Sequence, residues 1–224
     1  HVQRDIKKAI YYYQLSANQY FPLSLNALGK LYYNGEYVPK DINKSIYYFQ
    51  LSANQNDYLG QYYLGSIFYL GLSGKMDIKK GIYYLGLSAD KGFSLANFKM
   101  GFIYHLGKNI KRDILKAIYY YKNASSFNDK YSKNNLGVIY RYGFGEEVPK
   151  MLGLAIEYLK EAVNKSNDCI AMFNLAHIYL FEPNIIENNL DICIDLLIKS
   201  SIKSFVNSKI LLSLVLILKY KYDI

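Results

Sequence analysis

Apolar side chains fall along this chain in a stripe of helical period that restarts every 36 residues. With the Asp that opens each block as position zero, Ile6, Ala9, Ile10 and Tyr13 stand at +1, +4, +5 and +8. That spacing is one face of an α-helix. DIKKAIYYYQLSANQ from Asp5 returns as DINKSIYYFQLSANQ from Asp41, as DIKKGIYYLGLSADK from Asp77 and as DILKAIYYYKNASSF from Asp113. The opening Asp residues are expected to be N-caps, which accept the free N–H groups of a first helical turn. Ser or Ala at +11 and +12 leaves room for a second helix to come close. A fixed period of this length predicts stacked supersecondary units, each burying its apolar face against its neighbours.

The second half of each block predicts that second helix. It reads NALGKLYYNG from Asn26, QYYLGSIFYLG from Gln61, NFKMGFIYHLG from Asn97 and NNLGVIYRYGFG from Asn134. Core positions are +19, +23, +26, +27 and +30. The first Gly (Gly29, Gly65, Gly101, Gly137) falls mid-helix, where Gly costs about 1 kcal/mol against Ala. Its recurrence predicts a contact with no room for a Cβ. The later Gly (Gly35, Gly71, Gly107, Gly143) fits a helix C-terminus in left-handed geometry. The fifth block departs from the pattern. Met151 replaces the Asp, Ala176 replaces the first Gly, and extra residues fall in the loop of Gly143 to Glu147. Units are expected to start near 5, 41, 77, 113, 151 and 189. About twelve helices make a single array over 1–224, with an incomplete first unit and a capping helix near 207–221. In that last helix Ser213 takes the Gly position, and its apolar bulk predicts a better-sealed edge than the first helix offers. Beginning and ending on half-units, the chain reads as cut from a longer array.

The Leu-Gly-x-x-Tyr-x-x-Gly segment, the following Asp, then Lys-Ala and the paired small residues resemble the Sel1-like repeat, a helix-turn-helix relative of the tetratricopeptide repeat. The resemblance covers nearly the whole chain and extends to Lys/Asn/Tyr-rich arrays of protists. It implies an all-α, right-handed α-solenoid of helix-turn-helix units, whose front helices line a concave surface and whose back helices cover it. It also implies an adaptor or scaffold role.

Composition adds little against this. The chain is 51% hydrophobic, enough for a continuous core, and carries a net charge of +9. A basic balance fits nucleic acid or an anionic membrane, but abundant Lys, Asn, Ile and Tyr also follow from an AT-rich genome. Cys169 and Cys193 form no CxxC pair, so neither a zinc site nor a disulfide scaffold is predicted. With a polar start and no leader pattern, the expected compartment is the cytoplasm. The longest apolar run, Ile210 to Leu218, is about half of what a bilayer needs.

Candidate chemistry is sparse. His105 and His177 lack the partners that nucleophilic or acid–base catalysis needs. Gly71-Leu72-Ser73-Gly74-Lys75 lacks both the first Gly of a phosphate loop and a preceding strand. The Asp residues lie one unit apart, so they make no catalytic pair. No catalytic, cofactor or metal site is predicted. Tyr12, Tyr48, Tyr84, Tyr120 and Tyr158 at +7, and Tyr32, Tyr104 and Tyr140 at +27, are expected at the core or seam. Lys8 and Tyr11, Lys44 and Tyr47, Lys80 and Tyr83, and Lys116 and Tyr119 form a back-face ladder. Such a ladder can stack nucleic acid, and more commonly is a solvated face. On the front helices the positions opposite the core are +21, +25 and +28. They hold Tyr33, Tyr62, Tyr69, Phe98, Phe102, His105 and Arg141, and with one residue of shift Phe173 and His177. Exposed aromatics on one wall are what a protein-binding site uses.

The expected function is therefore a non-enzymatic scaffold holding a protein or peptide segment on its concave face. No small-molecule substrate and no transmembrane segment are expected, and copies are expected to associate end to end. Alternatives are the regulatory or targeting arm of a larger enzyme such as a protein kinase, an adaptor in membrane-protein quality control, and, least favoured, a basic nucleic-acid-binding surface.

Overall fold

Four of the repeat helices open on a carboxylate at the same position of the repeat. Asp5, Asp41, Asp77 and Asp113 accept the backbone N–H three residues on, at 2.9–3.0 Å. The computed structural model describes residues 5–182, 190–203 and 205–222, and it is all-α, an α-solenoid of repeats about 36 residues long. Twelve helices are present among the described residues, in two compact units. The expected unit start near 189 lies outside the described residues.

The first unit, residues 1–112, holds α1 (Ile6–Ala17), α2 (Pro22–Asn34), α3 (Ile42–Asn54), α4 (Tyr58–Leu70), α5 (Ile78–Asp90) and α6 (Ser94–Leu106). Each helix packs on the next in sequence, and α2 also touches α4. That nearest-neighbour order is the solenoid principle. Its cores are local. Ala17, Leu25 and Leu28 bury against Ile10, Tyr48 and Leu51, and Phe49, Leu64 and Ile67 bury against Ile46, Tyr63 and Tyr84. The small positions are close-packed. A Cβ on Gly65 would lie 2.7 Å from the Leu85 backbone nitrogen, and one on Gly29 2.6 Å from the Phe49 ring. Gly60 sits against Ser52 and Ala53, the small pair at +11 and +12. Asp57 ties three helices together. It caps Leu59 and Gly60 and accepts from the Asn26 amide at 2.8 Å and the Ser52 hydroxyl at 3.1 Å.

The second unit, residues 113–224, holds α7 (Ile114–Ser126), α8 (Lys130–Tyr142), α9 (Leu152–Ser166), α10 (Cys169–Phe181), α11 (Leu190–Ile202) and α12 (Val206–Tyr222). Again each helix packs on the next, and α8 also touches α10. Tyr121, Leu136, Ile139, Leu159, Leu175 and Leu197 are buried. Met151 caps α9 with no side-chain bond. The longer fifth block is absorbed where expected, in a tight loop in which the Phe144 N–H donates to the Val148 carbonyl at 2.7 Å.

Four expectations change. Gly35, Gly71 and Gly107 end their helices in left-handed geometry, but Gly143 has φ 68° and ψ 174°, because the chain turns there into the Phe144–Val148 bridge. The seam stacks recur as Tyr32 on Tyr48, Phe68 on Tyr84 and Tyr140 on Tyr158, with centroids 5.9–6.2 Å apart. Tyr12, at the same +7 position, is 64% exposed and meets the edge of Tyr11, with no such stack among the described residues. The last helix is not sealed. α12 buries Ser208 and Val215 and leaves Ile210, Leu214, Leu216, Ile217 and Leu218 exposed, since among the described residues it packs chiefly on α11. The small residue at that crossing is Ser208, whose hydroxyl bonds that of Ser200 at 2.7 Å. Ser213 is exposed.

Candidate functional site

The front helices α2, α4, α6, α8 and α10 carry Lys30, Lys99, Lys130, Lys133 and Arg141, and no Asp or Glu. In the first unit Tyr33 meets Tyr63 edge-on at 5.9 Å, Tyr63 meets Tyr62 at 5.2 Å, and Tyr62 meets Phe93 at 5.2 Å. Phe93 in turn packs at 5.0 Å on the exposed Tyr58. These contacts make a chain of rings from α2 across α4 to the start of α6. Lys99 holds its ammonium 5.3 Å above the Tyr62 ring and donates to the Ser66 hydroxyl at 2.8 Å. Lys30 stands 5.3 Å above Tyr63. Cations over ring faces are held by the quadrupole, more strongly as water is excluded. Burial pushes the Lys99 ammonium below, and the Tyr62 phenol above, their ordinary values.

The other expected residues of this unit sit nearby in sequence but make separate contacts. Phe98 and Phe102 stack at 6.2 Å, and Phe102 is 45% exposed. The half-buried Tyr69 donates its hydroxyl to the Lys108 carbonyl at 3.2 Å. His105 lies in the last turn of α6. Its imidazole is held below the usual value, first by burial and then by the Arg112 charge.

In the second unit α8 and α10 bring Arg141, Phe173 and His177 together. Arg141 is a correction, since it was expected to face solvent and is only 6% exposed. The cause is α10, whose His177 accepts from Arg141 through Nδ1 at 2.5 Å, while the guanidinium lies 4.8 Å from the Tyr142 ring. Phe173 meets His177 edge-on at 6.0 Å, and Phe181 lies 4.4 Å from it. Burial, then the Arg141 charge, hold the His177 imidazole below its usual value.

Lys99, Tyr63 and Phe93 were missed by the reading of positions +21, +25 and +28. Lys99 and Tyr63 share position +22, on the flank of the stripe, where the other blocks hold Ala27 and Asn135, so no repetition marks it. Lys130 and Lys133 are neutralised by Asp168 at 3.2 Å and Glu161 at 2.9 Å. Lys30, Lys99 and Arg141 have no such carboxylate among the described residues. Among those residues no group of His, Cys, Asp and Glu could hold a metal, and no helix is long and apolar enough to cross a membrane.

The family model described as "Sel1 repeat" matches residues 1–21, 22–57, 59–93, 94–126, 130–167 and 169–203. Among solved structures the chain is similar to c5321, a protective antigen of uropathogenic Escherichia coli strains with an SLR fold. Identity is 26% and the TM-score 0.83, over 94% of this chain and 44% of that one. It is also similar in fold to a Sel1 repeat protein from Oxalobacter formigenes, at 24% identity and a TM-score of 0.74, over 84% of this chain and 75% of that one. The chain thus spans less than half the length of the E. coli antigen. No curated protein matches it.

Proposed function

Because this chain belongs to the Sel1 repeat family, whose members are generally protein-interaction scaffolds, we propose that it is a non-enzymatic scaffold that holds an acidic, aromatic-tolerant peptide or protein segment on the concave face of its front helices. One observation carries the reading. The front helices α2, α4, α6, α8 and α10 carry aromatic rings and no Asp or Glu, and α2, α6 and α8 add Lys30, Lys99 and Arg141, which hold no carboxylate among the described residues. Aromatic and Arg side chains are the anchors that dominate binding energy at protein interfaces, and complementary charge selects partners and speeds encounter. Tyr33, Tyr62, Tyr69, Phe98, Phe102, His105, Arg141, Phe173 and His177 remain the proposed contact residues, joined by Lys99. The same scaffold role serves as the arm of a larger enzyme or as a quality-control adaptor. We place it in the cytoplasm, where its two free thiols stay reduced. Self-association end to end, through the apolar sides of α1 and α12, is part of the proposal.

The test is selection from a displayed random peptide library on the intact chain. The expected result is enrichment of Asp/Glu-containing peptides, with binding lost in a Tyr62→Ala/Lys99→Ala/Phe102→Ala variant that melts within a few degrees of the parent. No enrichment, or binding indifferent to these changes, would sink the reading. A nucleic-acid surface would show instead as a gel shift whose affinity falls steeply with salt.

A further inference from the structure

Among the described residues of the second unit, one buried cation has no paired anion. Arg141 has its Nη2 on a histidine nitrogen, its Nε has no partner, and no carboxylate pairs with it among the described residues. The histidine does not neutralise it. Accepting through Nδ1 leaves the His177 imidazole uncharged, with its proton on Nε2. A guanidinium cannot shed its proton to escape burial, as a lysine can. Two other cations of the same helix, Lys130 and Lys133, each hold a carboxylate. Among the described residues Arg141 is therefore a buried charge with no carboxylate of its own, and the nearby Glu182, whose charge acts on His177, is held by Lys150 at 2.8 Å. The walls of the spot are rings: Tyr142 under the guanidinium, Phe173 against His177, and Phe181, itself largely exposed.

We infer that Arg141 and His177 form a carboxylate-binding subsite, in which the guanidinium takes a carboxylate of a bound peptide and Phe181 and Tyr142 take the apolar side chain beside it. The guanidinium has five N–H donors and spends one on His177. Planar carboxylate is the anion its fork matches. A phosphate dianion fits less well, because the neighbouring lysines of α8 are already paired and one negative charge would remain. The inference deepens the scaffold reading and rests on it.

The experiment uses the intact chain with labelled histidine, following the His177 ring resonances by NMR. The probes are acetyl-Leu-Phe with a free C-terminal carboxylate, its carboxamide, and amidated acetyl-Leu-Glu-Phe against its Gln counterpart. The expected result is a saturable His177 shift with a carboxylate probe and none with the matched amide. The first pair reads a peptide terminus and the second a side chain. Arg141→Gln should abolish the shift, and Arg141→Lys should weaken binding by about tenfold or more, as loss of a charged hydrogen bond does. Arg141→Met should melt no lower than the parent, because it removes an unpaired buried charge. The subsite is overturned if acid and amide shift His177 equally, or if neither acid probe shifts it. It is also overturned if Arg141→Met melts lower while probe binding survives, which makes Arg141 a strut. Because the library selection reads the first unit through Tyr62, Lys99 and Phe102, it can succeed while this subsite fails, and a carboxylate shift at His177 can register where that selection fails.

Discussion

A glycine can hold a helix pair together or merely weaken one helix, and two residues of the first unit separate the cases. Gly65 faces backbone of α5, with a built Cβ 2.7 Å from the Leu85 nitrogen and 2.9 Å from the Gly81 carbonyl oxygen. Backbone cannot rotate away, so Gly65→Ala should cost about 1–3 kcal/mol as overpacking. Gly86 has nothing within 4 Å of its missing Cβ, so Gly86→Ala should stabilise by about 0.5–1 kcal/mol through helix propensity alone. Chemical denaturation of the two variants checks both signs, and equal effects would remove the packing argument. The Gly65 contact was legible because its cost recurs every repeat. The burial of Arg141 was not, because a helix wheel knows the core side but not the helix beside it. Histidine gives a second test. His105 and His177 are both held below the ordinary 6.5, by burial first and by Arg112 and Arg141 second. The unfolded chain therefore takes up protons that the folded chain refuses, so stability present above pH 6.5 is lost as pH falls through that value toward the depressed ones. The melting temperature should drop between pH 7.5 and 5.5, and the drop should shrink in a His105→Gln/His177→Gln variant. A profile unchanged by the double substitution would show that these imidazoles do not titrate across folding.

Helices were legible where their signals repeat. The Asp caps of α1, α3, α5 and α7 and the seam rings are written at one position in each block. The caps of the front helices are not. Asp57, Asp129 and Asp168 cap α4, α8 and α10, but Phe21 and Phe93 open α2 and α6 without a side-chain bond. No periodic reading finds a residue that changes from block to block, so the bridging role of Asp57 stayed hidden. The apolar content of α12 misled for a related reason. Bulk predicts burial only when a second surface is present, and among the described residues α12 packs chiefly on α11. Its exposed Ile210, Leu214 and Ile217 should drive association more strongly than α1, whose exposed ring edges are tyrosines with polar tips. Light scattering across a concentration series should show the intact chain associating, Ile210→Gln/Leu214→Gln/Ile217→Gln reducing that association, and Ile6→Gln/Ile10→Gln reducing it less. A monomer at every concentration, in parent and variants alike, would end the proposal of end-to-end contact.

Across the chain the 36-residue period fixes the class of fold, while function resides in the side chains that break the period. Positions +21, +25 and +28 vary among the blocks, which is why the partner cannot be read from the repeat. Stability, in contrast, should follow the repeat order. Within each unit helices touch their sequence neighbours and little else, so the free energy of opening a helix is set by its own interfaces rather than by a shared core. α4 has Leu64, Gly65 and Ile67 buried and packs on α3, α5 and α2. α1 buries Ala17 alone and, among the described residues, packs on α2. Among the same residues α12 buries Ser208 and Val215 and packs chiefly on α11. Amide hydrogen exchange followed by mass spectrometry should therefore show a gradient, with α1 and α12 exchanging first and α4, α5, α8 and α9 last. Loosening α2 by Gly29→Leu, which drives a side chain into the Phe49 ring, should speed exchange in α1, α2 and α3 while leaving α8 to α11 unchanged. If every helix instead exchanged at one common rate, and that variant accelerated them all together, the molecule would be unfolding as a single cooperative body. The nearest-neighbour account of its stability would then be wrong.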